Sequence, residues 1–408
     1  QTVRALRLCD RIKNIYLLAT EKIPGEVEGC SILMIDSFAS TATYRTIALH
    51  ADTAYTLLYT KYTAFEPGQF AFERLLAIAG DTNAGMLYAD RYLLKNGNSQ
   101  QAPVIDYQKG SLRDDFDFGS LLFFRSSVLK QAVRAMDADY RFAGLYDLRL
   151  RVSELAELVH VNEYLYSEVE TDIRKSGEKL FDYVDPKNRA VQIEMEAVCT
   201  AYLKRVGGYL APDFEPVTFD AGGFEQEASV IIPVRNRIRT IEDAIRSVLA
   251  QKTTFRFNLI IVDNHSTDGT SEAIEKYTAD GRVVHLVPER SDLGIGGCWN
   301  VGVHHPACGK FAVQLDSDDV YSGPDTLQKI VDAFYEQNCA MVVGTYRMTD
   351  FKMNEIPPGI IDHREWTLEN GRNNALRING LGAPRAFYTP VLRRINLPNT
   401  SYGEDYAL

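Results

Sequence analysis

From Ser229 onward the chain repeats one pattern: a short apolar run, a polar turn, then apolar residues at helical spacing. Val230, Ile231 and Ile232 form the first run and Pro233 stops it, after which Ile241, Ala244, Ile245, Val248 and Leu249 mark one face of a helix. Leu259–Val262, Val283–Val287 and Phe311–Leu315 are three further runs of the same kind. Short runs without polar interruption are strands covered on both faces, and strands alternating with helices predict a mainly parallel sheet flanked by helices. Such sheets bind ligands beyond the carboxyl ends of their strands. The polar loops Asp263–Thr270 and Asp316–Asp319 fall at that edge.

Bulk properties narrow the partners. A chain of 408 residues is long for one core, so two domains are expected. The net charge of -11 argues against a nucleic-acid surface, which needs a basic stripe. No apolar run approaches the roughly 18 residues of a membrane-spanning helix, so no transmembrane segment is expected. The six cysteines (Cys9, Cys30, Cys199, Cys298, Cys308, Cys339) include no C-x-x-C pair, which points away from zinc and from a disulfide framework. The expected location is cytoplasmic, either free or peripheral to a membrane.

Asp316-Ser317-Asp318-Asp319 is the most chemically charged of the loops. Carboxylates at a strand end are hard oxygen ligands for Mg²⁺ or Mn²⁺, and such a cation can neutralise a diphosphate. Asp and Ser are also common turn formers, so the loop alone is weak and its neighbours decide the reading.

Those neighbours carry a resemblance. Ser229-Val-Ile-Ile-Pro-Val-Arg-Asn236, Ile260-Ile-Val-Asp263 with Ser266-Thr-Asp-Gly-Thr270, Leu315-Asp-Ser-Asp-Asp319 and Gly403-Glu-Asp405 stand in order. Together they resemble the signature of family 2 inverting glycosyltransferases of the GT-A fold, over about 225–408. The resemblance implies that Pro233, Val234, Arg235 and Asn236 line a nucleotide-sugar and that Asp263 bonds its base. It further implies that Asp268, Asn300, Asp316 and Ser317 complete the donor set, that Asp318 and Asp316 hold Mn²⁺ or Mg²⁺, and that Asp405 is the general base. An inverting displacement needs one base near the acceptor hydroxyl and an electrophile at the leaving diphosphate, which suits two separate carboxylate groups.

Some positions depart from the family pattern. Arg235 stands where an aromatic residue is common, and Cys298-Trp299-Asn300 keeps the Asn but not the Arg of an Ala-Arg-Asn motif. Leu293-Gly-Ile-Gly-Gly297 lacks dinucleotide spacing and reads as a flexible loop near the donor. Glu404, Trp366, Arg385 and His363 are candidate acceptor or sugar contacts, and the Gly- and Asn-rich stretch 369–385 joins them.

The first half aligns with the second. Tyr55–Tyr59 matches Phe311–Leu315, Gly119–Leu129 matches Gly382–Leu392, and Tyr146-Asp147 falls where Glu404-Asp405 falls. Thr60-Lys61-Tyr62 replaces Asp316-Ser317-Asp318, so the first copy is expected to hold no metal there. Ile15–Leu18 further matches Leu259–Val262, which reads as a fragment lacking one strand at its start and a closing segment at its end. The expected architecture is thus α/β, with two tandem GT-A-like nucleotide-diphospho-sugar transferase domains. A degenerate copy with a helical segment occupies 1–206, a linker 207–224, and a catalytic copy 225–408. The expected function is metal-dependent transfer of a sugar from a nucleotide-diphosphate donor, with UDP-sugars first, to a glycan or glycoconjugate. A sugar-nucleotide nucleotidyltransferase and a non-catalytic carbohydrate-binding scaffold are the alternatives.

Overall fold

The computed structural model describes residues 2–23, 25, 27–95, 97–169, 188–220, 222–363, 366–378 and 384–408. The chain divides into unit 1, Gln1–Ala211 with Trp366–Ile378, and unit 2, Pro212–Glu365 with Asn379–Leu408.

Unit 1 holds two sheets. Strands β1 (Tyr16–Ala19) and β2 (Ser31–Met34) pair in parallel. The larger sheet contains β3 (Tyr55–Tyr59), β4 (Phe65–Pro67), β5 (Met86–Lys95), β6 (Asn98–Ala102), β7 (Leu121–Arg125) and β8 (Leu158–Val169). Its order is β3-β7-β5-β8-β4, with β6 added to β5. Within it only β5 and β8 run in parallel, which corrects the expectation of a mainly parallel sheet for this half. The tight hairpin from β5 to β6 forces antiparallel pairing, because parallel neighbours need a long crossover. Helices α1 (Thr2–Arg7), α2 (Thr41–His50), α3 (Ala71–Thr82), α4 (Ser126–Arg134), α5 (Gly144–Leu155) and α6 (Arg189–Val206) complete the main run. The last ends at Gly207, whose φ of 76° lets its N–H reach the Leu203 carbonyl, a conformation that glycine reaches without a Cβ penalty. Apolar clusters lie on the α2/α4/α5 side of the sheet (Tyr44, Met86, Leu122, Phe124, Leu129, Leu148) and on the α3 side (Phe72, Leu75, Leu87, Phe123).

Unit 2 is built on β9 (Ala228–Val234), β10 (Phe257–Asp263), β11 (Val283–Leu286), β12 (Phe311–Gln314), β13 (Met341–Val343) and β16 (Arg385–Tyr388), in the order β11-β10-β9-β12-β16-β13. The first four run in parallel as expected, and β16 and β13 add an antiparallel edge, so the sheet is mixed. A separate hairpin pairs β14 (Tyr346–Thr349) with β15 (Glu355–Ile361). Helices α7 (Ile241–Leu249), α8 (Thr270–Glu275), α9 (Ile295–His304), α10 (Thr326–Gln337), α12 (Thr389–Ile395) and α13 (Glu404–Ala407) belong here, while the short α11 (Gly371–Asn374) packs within unit 1. One face of the sheet packs on α7 and α10 through Val230, Ile232, Ile245 and Phe334. The other packs on α9 and α12 through Ile231, Ile260, Trp299 and Leu392, which is why β9 and β10 read as unbroken apolar runs.

The aligned strands of the two halves pair in the same register. Tyr55 faces Arg125 across β3/β7, and the matching residues Phe311 and Tyr388 face each other across β12/β16. The third strand follows suit, since β5 joins β7 antiparallel as β13 joins β16. In unit 2, β9 lies between β10 and β12; in unit 1 the matching β1 and β3 flank a cavity of about 450 Å³ lined in part by Leu18, Leu58, Tyr59 and Tyr44.

Candidate active site

The loops after β9 and β10 are tied into one surface. Asn236, at φ 55°, donates its N–H to Ser266 Oγ at 2.9 Å and accepts from the Thr267 N–H at 2.8 Å. Asp268 accepts from the Ile238 N–H at 3.2 Å and from the Thr270 N–H at 3.1 Å, so its carboxylate braces these loops. Hydrogen bonds, that from the Thr270 hydroxyl foremost, hold that carboxyl below its ordinary range. Pro233 and Val234 end β9 beneath this surface, and Arg235 is exposed beside it.

Asp263, at the end of β10, is fully buried. Its Oδ1 accepts the Ser266 N–H at 3.0 Å, and its Oδ2 accepts the Ser271 hydroxyl and lies 3.5 Å from His285 Nε2. Burial alone would raise this carboxyl, but the contacts with His285, Ser266 and Ser271 outweigh it and hold the group well below the usual range. The His285 imidazole is raised above 6.5, chiefly by Asp263, with burial opposing and Glu275, 3.5 Å from Nδ1, adding to the effect. Sequence reasoning missed His285 because its strand, β11, carries no motif; only the β10/β11 pairing brings it here.

The acidic cluster follows β12. Asp316 begins a turn closed by the Asp319 N–H to the Asp316 carbonyl at 3.1 Å, with Ser317 buried and Asp318 exposed. Desolvation raises the Asp316 carboxyl, Arg385 opposes the rise, and Asp318, Glu404 and Asp405 add to it. Desolvation and the charges of Asp316 and Asp318 likewise push Asp319 up to about 7. Asp318 lies 3.8 Å from Arg237, an exposed pair of little energetic weight. Arg385, buried on β16, reaches Asp405 Oδ2 at 2.9 Å and donates through Nε to Gln314. Glu404 is buried beside Asp405. The structure therefore brings Asp316, Asp318, Glu404, Asp405 and Arg385 into one electrostatic neighbourhood.

Several residues take other places. Asn300 spends its amide on Leu397, donating to its carbonyl at 2.7 Å and accepting its N–H at 3.0 Å, so it braces the chain leading to Asp405. Gly294–Gly297 is not a flexible loop but the start of α9 packed against Pro398–Ser401; a Cβ on Gly296 would come 2.0 Å from the Pro398 carbonyl oxygen. His363, at φ 47°, has a pKa lowered by burial, which favours a neutral ring. Trp366 packs within unit 1. Of the Gly- and Asn-rich stretch, 379–383 lie outside the described residues.

Unit 1 presents the matching places with different chemistry. Lys61 follows β3 and pairs with the fully buried Glu168 at 2.7 Å, and Arg91 joins the same carboxylate at 3.0 Å. Asp147 is sealed against Arg151 at 2.9 Å. Across β3/β7, Leu58 faces Leu122 where Gln314 and Arg385 stand in unit 2.

A divalent cation suits the unit 2 cluster. Desolvation first, and then the neighbouring carboxylates, raise Asp316 and Asp319, so negative charge is crowded at this strand end where hard oxygen ligands are grouped. Among the described residues no three His, Cys, Asp or Glu side chains form a cage, so substrate oxygens would complete the coordination, as is usual for Mg²⁺ at phosphates.

In an α/β unit of this kind the loops at the carboxyl ends of the parallel strands, here acidic, are where a ligand binds. Residues 229–394 match the model of glycosyl transferase family 2. The chain is 33% identical over 120 residues to TuaG of Bacillus subtilis, described as a glycosyltransferase of teichuronic acid biosynthesis, covering 29% of this chain and 46% of that protein. It is 38% identical over 97 residues to the uncharacterized glycosyltransferase RC0461 of Rickettsia conorii, covering 24% of this chain and 15% of that one. The chain thus spans less than half the length of either relative. Among solved structures, Staphylococcus aureus TarS 1–349 is similar at 25% identity and a TM-score of 0.36, over 44% of this chain and 53% of that one.

Proposed function

We propose that 225–408 is a metal-dependent, inverting glycosyltransferase domain using a nucleotide-diphosphate sugar, and that 1–206 is a copy of it that has lost the chemistry. The observation that carries the reading is the convergence of Asp316, Asp318, Glu404 and Asp405 beyond β12, at the same edge of the sheet as Asp263, which ends β10 across the intervening strand β9. Asp263 would accept from the base, the Pro233–Asn236 loop would line the nucleotide, and Asp318 with Asp316 would hold Mn²⁺ or Mg²⁺. The cation, when bound, offsets charge on the departing diphosphate. Asp405 takes the proton of the acceptor hydroxyl as the new bond to the anomeric carbon forms. The bond from that carbon to the diphosphate oxygen breaks, releasing the nucleoside diphosphate with inversion. UDP-sugars are the first donors to test and a glycan or glycoconjugate is the acceptor class. The matching register of β3/β7 and β12/β16 supports the duplication, and Lys61 in place of a carboxylate supports loss of metal binding in the first copy.

Calorimetric titration with UDP and UDP-sugars, with Mn²⁺ and after chelation, tests the reading. Asp318→Ala should abolish the Mn²⁺-dependent part of binding. Asp405→Asn should keep donor binding and lower turnover by about 100- to 10,000-fold. Binding indifferent to chelator and to Asp318→Ala would overturn the metal assignment.

A further inference from the structure

We propose that Arg385 and Gln314 form a positioning pair that aims Asp405, an inference that rests on the transferase reading above. Asp405 lies in the first turn of α13, a helix of four residues entered through Gly403 at φ 77°. So short a helix cannot fix its own side chains, and Glu404 and Asp405 need an outside anchor. Arg385 supplies it from the sheet. Its guanidinium is buried, its Nη1 stands 2.9 Å from Asp405 Oδ2, and its Nε donates to Gln314. Gln314 is the last residue of β12 and precedes by two positions the turn that begins at Asp316. Through this pair the base is referenced to the strand that leads into the metal-side carboxylates, and Asp405 Oδ1 accepts the Tyr406 N–H at 2.9 Å.

Unit 1 supplies an internal comparison. At the same cross-strand position it has Leu58 opposite Leu122, and there Asp147 turns to Arg151 on its own helix. An apolar pair is therefore compatible with this strand geometry, so the polar pair of unit 2 is not required by the sheet. Burying a guanidinium carries a desolvation cost that apolar packing avoids, and the position in unit 2 retains it beside Asp405.

The test measures UDP release from UDP-glucose, UDP-galactose and UDP-N-acetylglucosamine with Mn²⁺ in the whole chain, for Arg385→Gln, Arg385→Lys and the double variant Gln314→Leu/Arg385→Leu. The double variant reproduces the pair of unit 1, so circular dichroism should report a folded protein. Expected are a fall in kcat of about 100-fold for Arg385→Gln and the double variant, with donor KM nearly unchanged, and partial recovery in Arg385→Lys. Folded variants with wild-type kcat, or with equal loss of UDP binding, would overturn the positioning role. A wild-type chain that binds Mn²⁺ and UDP-sugar but whose turnover ignores Asp405→Asn would instead overturn the base assignment on which it rests.

Discussion

Asp147 accepts a hydrogen bond from Arg151 inside unit 1, whereas Asp405 meets Arg385 at the rim of a carboxylate cluster. Replacing Asp147 by Ala leaves the buried Arg151 with the exposed Asp137 as its one ionic partner among the described residues, at a cost of about 3–5 kcal/mol, without affecting donor binding. Thermal denaturation and UDP titration on the same variant check both halves of that statement. At His285 the sign of the pH response follows from its raised pKa. The imidazolium stabilises the fold fully below pH 6.5, the ordinary value, and that contribution is lost as pH rises through the folded-state pKa. His285→Gln should therefore flatten the fall in melting temperature on the alkaline side of that value, measured by calorimetry from pH 6 upward. Asp263, Asp316, Asp318 and Asp405 could be picked out of the sequence because each stands in a short recognisable acidic motif. Gln314 and His285 could not: the sequence marks Arg385 only as a substrate contact, and its tie to Gln314, 71 positions away, like the approach of His285 to Asp263, arises only through strand pairing.

The elements of unit 2 were legible where burial on both faces leaves an uninterrupted apolar run, as in β9 and β10. The strands of unit 1 hid their pairing direction. Apolar content in β7 is the same whether its neighbours run parallel or antiparallel, and it pairs antiparallel with both β3 and β5. The start of α9 was misjudged for a related reason: three glycines suggest mobility in sequence, yet here they allow helix and chain to touch. Gly296→Ala should push Pro398–Ser401 away and displace Asp405 downstream, since the nearest atom is backbone and cannot rotate aside. We expect kcat to fall by about 100-fold with donor binding retained, read by the same UDP-release assay.

At the scale of the whole chain, the partition into units is not a single cut. Trp366–Ile378 belongs to unit 1, where Arg377 pairs with Asp114, Asn370 donates to Glu196 at 2.9 Å, and the Leu210 N–H donates to Asn373 at 3.1 Å. Nothing in the composition of that segment marks it off from the residues around it. A chain ending at Ala211 should consequently unfold at a lower temperature than unit 1 does in the intact chain, with the loss of one buried ion pair alone costing about 3–5 kcal/mol. Supplying 366–378 as a peptide should recover part of the difference in a thermal melt.

That membership also sets an order of events during synthesis. Unit 1 leaves the ribosome first, yet a piece of its interior is translated only after most of unit 2. At ~5–20 residues per second the wait is roughly 10–30 s, long beside the folding of a single domain. For that interval Asp114 and Cys199 lack the partners they meet in the finished fold, Arg377 and the Asn373 carbonyl. The nascent chain thus passes through a period in which an unfinished first half must avoid aggregation while the second half is still being made.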